Sequence, residues 1–434
     1  MQDKLPIYNN KSLNSSWDKG NRIEYILNLC QELVSYKGRT SGISLATKIL
    51  DEYQKLNQKD KASFFLMINQ NFTPNVADIS KDASVFLENS NLKNLNNLSV
   101  SVEGKRQELF RRMNMAIGGS EVLVFMRGDL LPLINHLPEL KELDNDLIHL
   151  FRSWFNPGFL KLRKINWSTE ASILEKFIAN EKVHSIKDLS DIKKRLQNHK
   201  EFYAYFHPAI KIEPIIFVEV AYTKGIGKSV QEIINRNTKS NLLEFDSCMF
   251  YSINNCLVGL SRISLGNFLI KRVVQKIVVD KPNIKKFYTL SPVPGFAKWL
   301  LENENEYILG LISETEMKSI SIVFENEFDI KKISNKVKSV ILKLCAIYLI
   351  NIKVKEKPIN KVASFHLGNG AFVNDIFWNG DTSVNGLKSS FGIMVNYEYD
   401  LQKMDEYHES FFSKGKITIS KKVEKILNQE KKIY

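Results

Sequence analysis

Apolar residues in the first part of the chain recur three and four positions apart. Tyr25, Ile26, Leu29 and Leu33 form one such stripe, and Leu147, Leu150, Phe151 and Trp154 another. This is the period of a helix that buries one face. Asn166-Trp167-Ser168-Thr169, followed by Glu170 and a further apolar-periodic run, reads as a helix start with Ser168 or Thr169 as its cap. Near residue 200 the pattern changes. Ile215, Phe217, Val218, Val220 and Ala221 form a short, largely β-branched run just after Pro214, which predicts a mostly buried strand. Strand-like and helix-like segments then alternate to the C-terminus, with no internal repeat and no low-complexity linker. The pattern predicts an α-helical N-terminal bundle over residues 1–195 and a mixed α/β domain over 196–434.

In the second region, Gly266 and Asn267 open a strongly apolar helix containing Phe268, Leu269, Ile270, Val273 and Val274. A helix N-terminus offers free backbone N–H groups and the positive end of a dipole, which suits a phosphate. By itself one glycine before a helix is more simply a cap or a packing residue. Two other segments carry candidate chemistry. Thr289–Phe296 (TLSPVPGF) places Ser291 before a Pro-Val-Pro-Gly turn, and Ser364–Ala371 (SFHLGNGA) places His366 before a Gly-Asn-Gly turn. Proline fixes φ and glycine relieves steric limits, so such turns aim a neighbouring polar side chain. A hydroxyl and an imidazole so held form an acid–base pair if the fold joins them. Without that, Ser291 is a turn residue and His366 a satisfied core histidine. No G-x-S-x-G elbow surrounds Ser291, so the pair does not read as a hydrolase triad.

Composition narrows this picture modestly. A chain of 434 residues suggests two or three domains, and 44% hydrophobic with 11% aromatic content supports an ordinary core. Cys30, Cys248, Cys256 and Cys345 fall in no metal-ligand spacing. Cys248 and Cys256 could approach across a hairpin, but apolar flanks favour four reduced, buried thiols in a cytoplasmic protein. No metal site is expected. The net charge of +13 comes mostly from scattered lysines, densest over Lys331–Lys343 and Lys414–Lys432. No nucleic-acid-binding module accompanies them, so no nucleic-acid partner is expected. MQDKLPIYNN lacks the features of a secretory signal, and Val340–Ile350 is shorter than the roughly 20 apolar residues a membrane span needs. A soluble cytoplasmic protein without a membrane partner is the expectation. A homo-oligomer is allowed for, its size being unreadable from sequence.

The surrounding residues resemble the malonyl-CoA decarboxylase family. The likeness runs through Trp154–Lys176, Phe206–Thr223 (FHPAIKIEPIIFVEVAYT) and Phe250–Val274 (FYSINNCLVGLSRISLGNFLIKRVV). It continues through the Ser291 segment, Leu344–Tyr348 and Trp378–Tyr399 (WNGDTSVNGLKSSFGIMVNYEY). The resemblance implies a C-terminal domain similar to the GNAT acyltransferases, in which Ser261, Arg262, Ile263, Ser264, Leu265, Gly266 and Asn267 bind the coenzyme A pyrophosphate. The basic surface would attract such a polyanion. Relatives usually carry glycine at the position of Arg262, and some carry glutamate where this chain has Ser264. An arginine at positive φ would be strained, so either the turn differs here or Arg262 itself grips a phosphate. The chain ends in Glu-Lys-Lys-Ile-Tyr, not the Ser-Lys-Leu address of some animal members.

The resemblance also implies the chemistry: malonyl-CoA is converted to acetyl-CoA and carbon dioxide through a thioester enolate. Ser291 is then a hydrogen-bonding proton relay, His366 the proton donor, and Tyr399 the residue that orients the malonyl carboxylate, with Tyr397 as fallback. The thioester accepts the charge, so no cofactor is implied beyond the coenzyme A of the substrate. His207 reads as structural. Asp381 is either an orienter of His366 or, more simply, a turn former. Two other functions share these features: acyl transfer from coenzyme A to an amine or hydroxyl, and acyl-CoA binding by a catalytically lapsed protein.

Overall fold

The computed structural model describes residues 19–428, apart from 198, 211–212, 237–241, 264, 303–307, 309 and 321–332. The chain forms two compact units. One holds the residues up to Asn156 together with Leu257–Ile263; the other holds Pro157–Cys256 and Ser264 onward.

The first unit is helical, through Lys19–Val34, Gly38–Gln54, Gln58–Asn71, Val76–Glu88, Leu92–Met113, Gly119–Leu133 and Lys141–Trp154. The expected stripes bury Ile26, Leu29 and Leu33, and Leu147, Leu150 and Phe151. Three consecutive helices start on asparagines, Asn57, Asn75 and Asn91, whose side chains accept from first-turn N–H groups. Leu257–Ile263 packs on the Gly119–Leu133 helix, where a Cβ on Gly259 would overlap the Val124 carbonyl at 1.8 Å. Arg127 holds this segment. Its guanidinium donates to the carbonyls of Gly259 (2.5 Å) and Ser261 (2.8 Å) and pairs with Asp144 at 2.7 Å, with both charged side chains essentially inaccessible.

The second unit is built on an eight-stranded mixed sheet. Its strands are β1 (Lys161–Ile165), β2 (Lys200–Phe206), β3 (Ile216–Thr223), β4 (Ser247–Asn255), β5 (Lys286–Thr289), β6 (Ser291–Pro292), β9 (Phe372–Phe377) and β10 (Met394–Glu398); β7 (Lys353–Val354) and β8 (Lys357–Pro358) form a separate hairpin. β1 to β4 are antiparallel neighbours in order. β4 and β5 are parallel, and the helix Gly266–Asp280 lies in the crossover between them, as a parallel pair requires. β10 runs antiparallel to β5, β6 and β9. Every residue of β2 and β3 is buried, as in strands covered on both faces. Ile173 and Phe177 pack with Phe202 and Phe217, while Ile233 packs in a separate cluster with Ala221, Met249 and Met394. The helical N-terminal region and the mixed α/β C-terminal domain are as expected.

Four expectations change. The units divide at Asn156, not near residue 195, because β1 pairs with β2 and the 171–180 helix packs into the sheet core. Asn166–Thr169 is a turn closed by the Asn166 side chain; the helix begins at Ala171 behind Glu170. Cys248 and Cys256 lie on or just past the same strand, β4, rather than across a hairpin, and all four thiols are free and buried. Lys343, counted among a basic surface cluster, is buried against Glu316 at 2.9 Å; Lys331 and Lys332 lie outside the described residues.

Candidate active site

β4 and β5 pair from Ser247 opposite Lys286 to Phe250 opposite Thr289. Leu290 still donates its N–H to Phe250 (2.9 Å), and there the β4 pairing ends, while β10, already opposite β5 at Tyr288, goes on to pair Val395 with Ser291. Ser291 therefore stands just past the end of the β4–β5 pairing. Side chains two apart on a strand share a face, so Thr289 lies beside Ser291, and its Oγ1 accepts the Ser291 hydroxyl at 3.0 Å.

His366 comes from the last turn of the helix Lys361–Gly368. The Asn360 side chain caps that helix through Ala363 N–H (2.9 Å) and donates to the Pro294 carbonyl (3.0 Å). This bond ties the imidazole helix to the Pro-Val-Pro-Gly turn after Ser291. Gly295 and Gly370 take φ of 83° and 80°, as those turns require, and a Cβ on Gly370 would lie 2.1 Å from the Met404 carbonyl.

The result is a connected, buried chain. Ser291 Oγ and His366 Nε2 are 2.9 Å apart, and His366 Nδ1 and the Tyr399 hydroxyl are also 2.9 Å apart. Tyr397 stacks on the imidazole with ring centroids 4.7 Å apart. Burial pushes the His366 pKa down to about 3, so the imidazole is neutral at ordinary pH. Burial also raises the Tyr399 phenol, keeping it protonated.

Ser291, His366 and Tyr399 are thus brought together, with Tyr397 beneath the ring. Asp381 stands apart from this group: it accepts from Gln231 (2.7 Å) and from Ser383 N–H (2.9 Å), as a turn former does. His207 accepts from Ala209 N–H, a structural bond. Sequence reading passed over Thr289, although its i, i+2 relation to Ser291 was a usable signal, and Asn369, three residues beyond His366. Asn369 is buried, and among the described residues its Nδ2 has no hydrogen-bond partner.

The segment expected to hold the pyrophosphate is divided between the units. Ser261, Arg262 and Ile263 belong to the helical unit. Arg262 keeps the left-handed backbone a glycine would supply, with φ of 66°, and its exposed guanidinium reaches Asp144 at 3.4 Å. Ser264 lies outside the described residues. Leu265 precedes the helix that begins at Gly266 and Asn267, and as its N-cap residue it offers no capping side-chain bond. Among the described residues no group of three His, Cys, Asp or Glu could hold a metal ion, and no helix is long and apolar enough to cross a membrane.

Comparison with known proteins gives a consistent result. Residues 72–155 match the malonyl-CoA decarboxylase N-terminal domain and residues 158–434 the malonyl-CoA decarboxylase C-terminal domain. The mitochondrial malonyl-CoA decarboxylase of Anser anser anser is 33% identical over 348 residues, covering 74% of this chain and 69% of the relative. That of Rattus norvegicus is 31% identical over 376 residues, covering 81% and 75%. The crystal structure of malonyl-CoA decarboxylase from Rhodopseudomonas palustris aligns with a TM-score of 0.87 at 38% identity, over 93% of this chain and 99% of that one. The enzyme from Agrobacterium vitis gives 0.87 at 35% identity, over 93% and 100%. With family models spanning most of its length and relatives at this identity, the chain belongs to the malonyl-CoA decarboxylase family.

Proposed function

We infer that the protein decarboxylates malonyl-CoA to acetyl-CoA and carbon dioxide. The observation that carries this reading is the buried Ser291–His366–Tyr399 chain just past the end of the β4–β5 pairing, in a member of this family. Breaking the bond between the malonyl carboxylate carbon and C2 releases carbon dioxide and leaves the electron pair in the thioester enolate. Ser291 donates a hydrogen bond to the developing negative charge and passes its proton to C2. His366 and Tyr399 refill that proton, and water restores it to them. One proton is consumed per turnover.

The low, desolvated polarity around His366 strengthens these hydrogen bonds. An arriving malonyl carboxylate would raise the imidazole pKa from its free value, making proton donation easier. The pyrophosphate of coenzyme A is placed by this reading on Ser261–Asn267, with the N–H groups at Gly266 and Asn267 as donors. The thioester itself is the electron sink, so chelation of metals should leave the rate unchanged.

The test is incubation of purified protein with malonyl-CoA, with and without an amine acceptor, followed by identification of the acyl products. Acetyl-CoA and carbon dioxide in equal amounts support the reading. An acylated amine would establish a transferase, and binding of malonyl-CoA without turnover would establish an acyl-CoA-binding protein.

A further inference from the structure

We propose that Thr289 is a positioning residue that fixes the direction of the hydrogen-bond chain, so that the resting His366 bears its proton on Nε2 and donates it toward Ser291. This deepens the decarboxylase reading and rests on it.

The argument counts protons. Thr289 is fully buried, and its Oγ1 accepts both the Ser291 hydroxyl (3.0 Å) and the Tyr397 backbone N–H (3.2 Å). The strand position is secured from the other side as well, since Asn396 Nδ2 donates to the Thr289 carbonyl at 2.7 Å. A serine hydroxyl has one proton. With that proton given to Thr289, Ser291 Oγ can only accept at its 2.9 Å contact with His366, so Nε2 must carry the hydrogen. A neutral imidazole has one N–H, which leaves Nδ1 as acceptor, facing a Tyr399 hydroxyl that can donate.

This direction is the reverse of a hydrolase dyad, where the imidazole withdraws the serine proton and creates a nucleophile. Here His366 cannot act as a base toward Ser291. The hydroxyl keeps its proton and can turn it from Thr289 to the substrate. Thr289 thus biases the same two residues toward proton delivery and away from thioester hydrolysis.

Nitrogen-15 NMR of histidine-labelled free protein tests the assignment directly. The chain has seven histidines, and His366 is identified by its loss in His366→Asn. The expected result is protonation at Nε2, moving partly or wholly to Nδ1 in Thr289→Val. That variant should lose roughly 10- to 100-fold in kcat with little change in KM, and Thr289→Ser should restore both the tautomer and the rate. Protonation at Nδ1 in the parent protein would overturn the proposal. So would a Thr289→Ser variant as impaired as Thr289→Val, since the methyl group would then be what matters. The parent spectrum needs no substrate and remains decisive if Thr289→Val fails to fold or the protein acts on a different thioester.

Discussion

The ring of Phe365 fills the space that a side chain on Gly266 would need: a Cβ there would lie 2.7 Å from Cε2 and 2.9 Å from Cζ. One residue further on, His366 meets Phe365 edge to face, with ring centroids 5.0 Å apart. The helix assigned to the pyrophosphate and the helix bearing the imidazole therefore touch through an absent side chain.

Gly266→Ala should push Phe365 and tilt His366, lowering kcat about 10-fold or more as well as weakening coenzyme A binding, because small misplacements of reacting groups are costly. Phe365→Leu in the same chain should recover much of the kcat. Steady-state kinetics and calorimetric titration with coenzyme A separate the two effects. Weaker binding at unchanged kcat would mean the glycine serves the phosphates alone.

Ser291→Ala and His366→Asn should each reduce turnover by about 10²–10⁴-fold while coenzyme A still binds. The double variant should be little worse than the poorer single one, because groups acting as a unit are not additive. With the free imidazole neutral down to about pH 3, kcat/KM should show no inflection from His366 near 6.5. Folded variants with near-native rates would remove both residues from the mechanism.

Asp144→Ala should destabilise the helical unit by about 3–5 kcal/mol, since it leaves the Arg127 guanidinium buried without its counter-charge. Denaturant unfolding followed by circular dichroism would measure it. A loss below about 1 kcal/mol, the scale of an exposed pair, would show that the carbonyls of Gly259 and Ser261 suffice to hold the cation.

Glu219 offers a pH test of the second unit. It is fully buried on β3, and desolvation together with the neighbouring Glu181 raises its pKa well above the usual carboxylate value, outweighing Arg195 at 3.4 Å. The native state thus holds a proton that the unfolded chain releases above about pH 4.3. Its contribution to stability therefore falls as pH rises from there toward the native pKa. Glu219→Gln should unfold at a higher temperature than the parent at pH 8, and the gain should shrink toward pH 5. An equal or opposite change at both pH values would mean Glu219 is ionised in the fold.

The periodic stripes at Ile26–Leu33 and Leu147–Phe151 were legible because one face of each helix is apolar and the other wet. The unit boundary was not, because the helices 171–180 and 189–195 carry the same period as the bundle. Periodicity tells which face is buried, not which partner buries it. β1 escaped notice because KLRKI exposes charges on an edge of the sheet, and β2 because KEFYAYF is buried on both faces and so does not alternate. Ser291 and His366 were legible through their turns and their family context. Thr289 was legible only through its place two residues before Ser291, since nothing in its residue type marks a hydroxyl that serves another hydroxyl.

Leu257–Ile263 interrupts the second unit in sequence and is completed by the first in space. A gene cut after Asn156 would therefore not yield two finished halves. The helical fragment would lack the carbonyls of Gly259 and Ser261 that Arg127 uses, leaving a buried cation short of acceptors. The remaining fragment would carry seven residues whose glycine is shaped for the Val124 carbonyl it no longer meets. Expressed apart, the fragments should be poorly soluble; supplied together, they should recover by complementation. The helical unit is thus finished only when the chain has been made well past it, as far as Ile263.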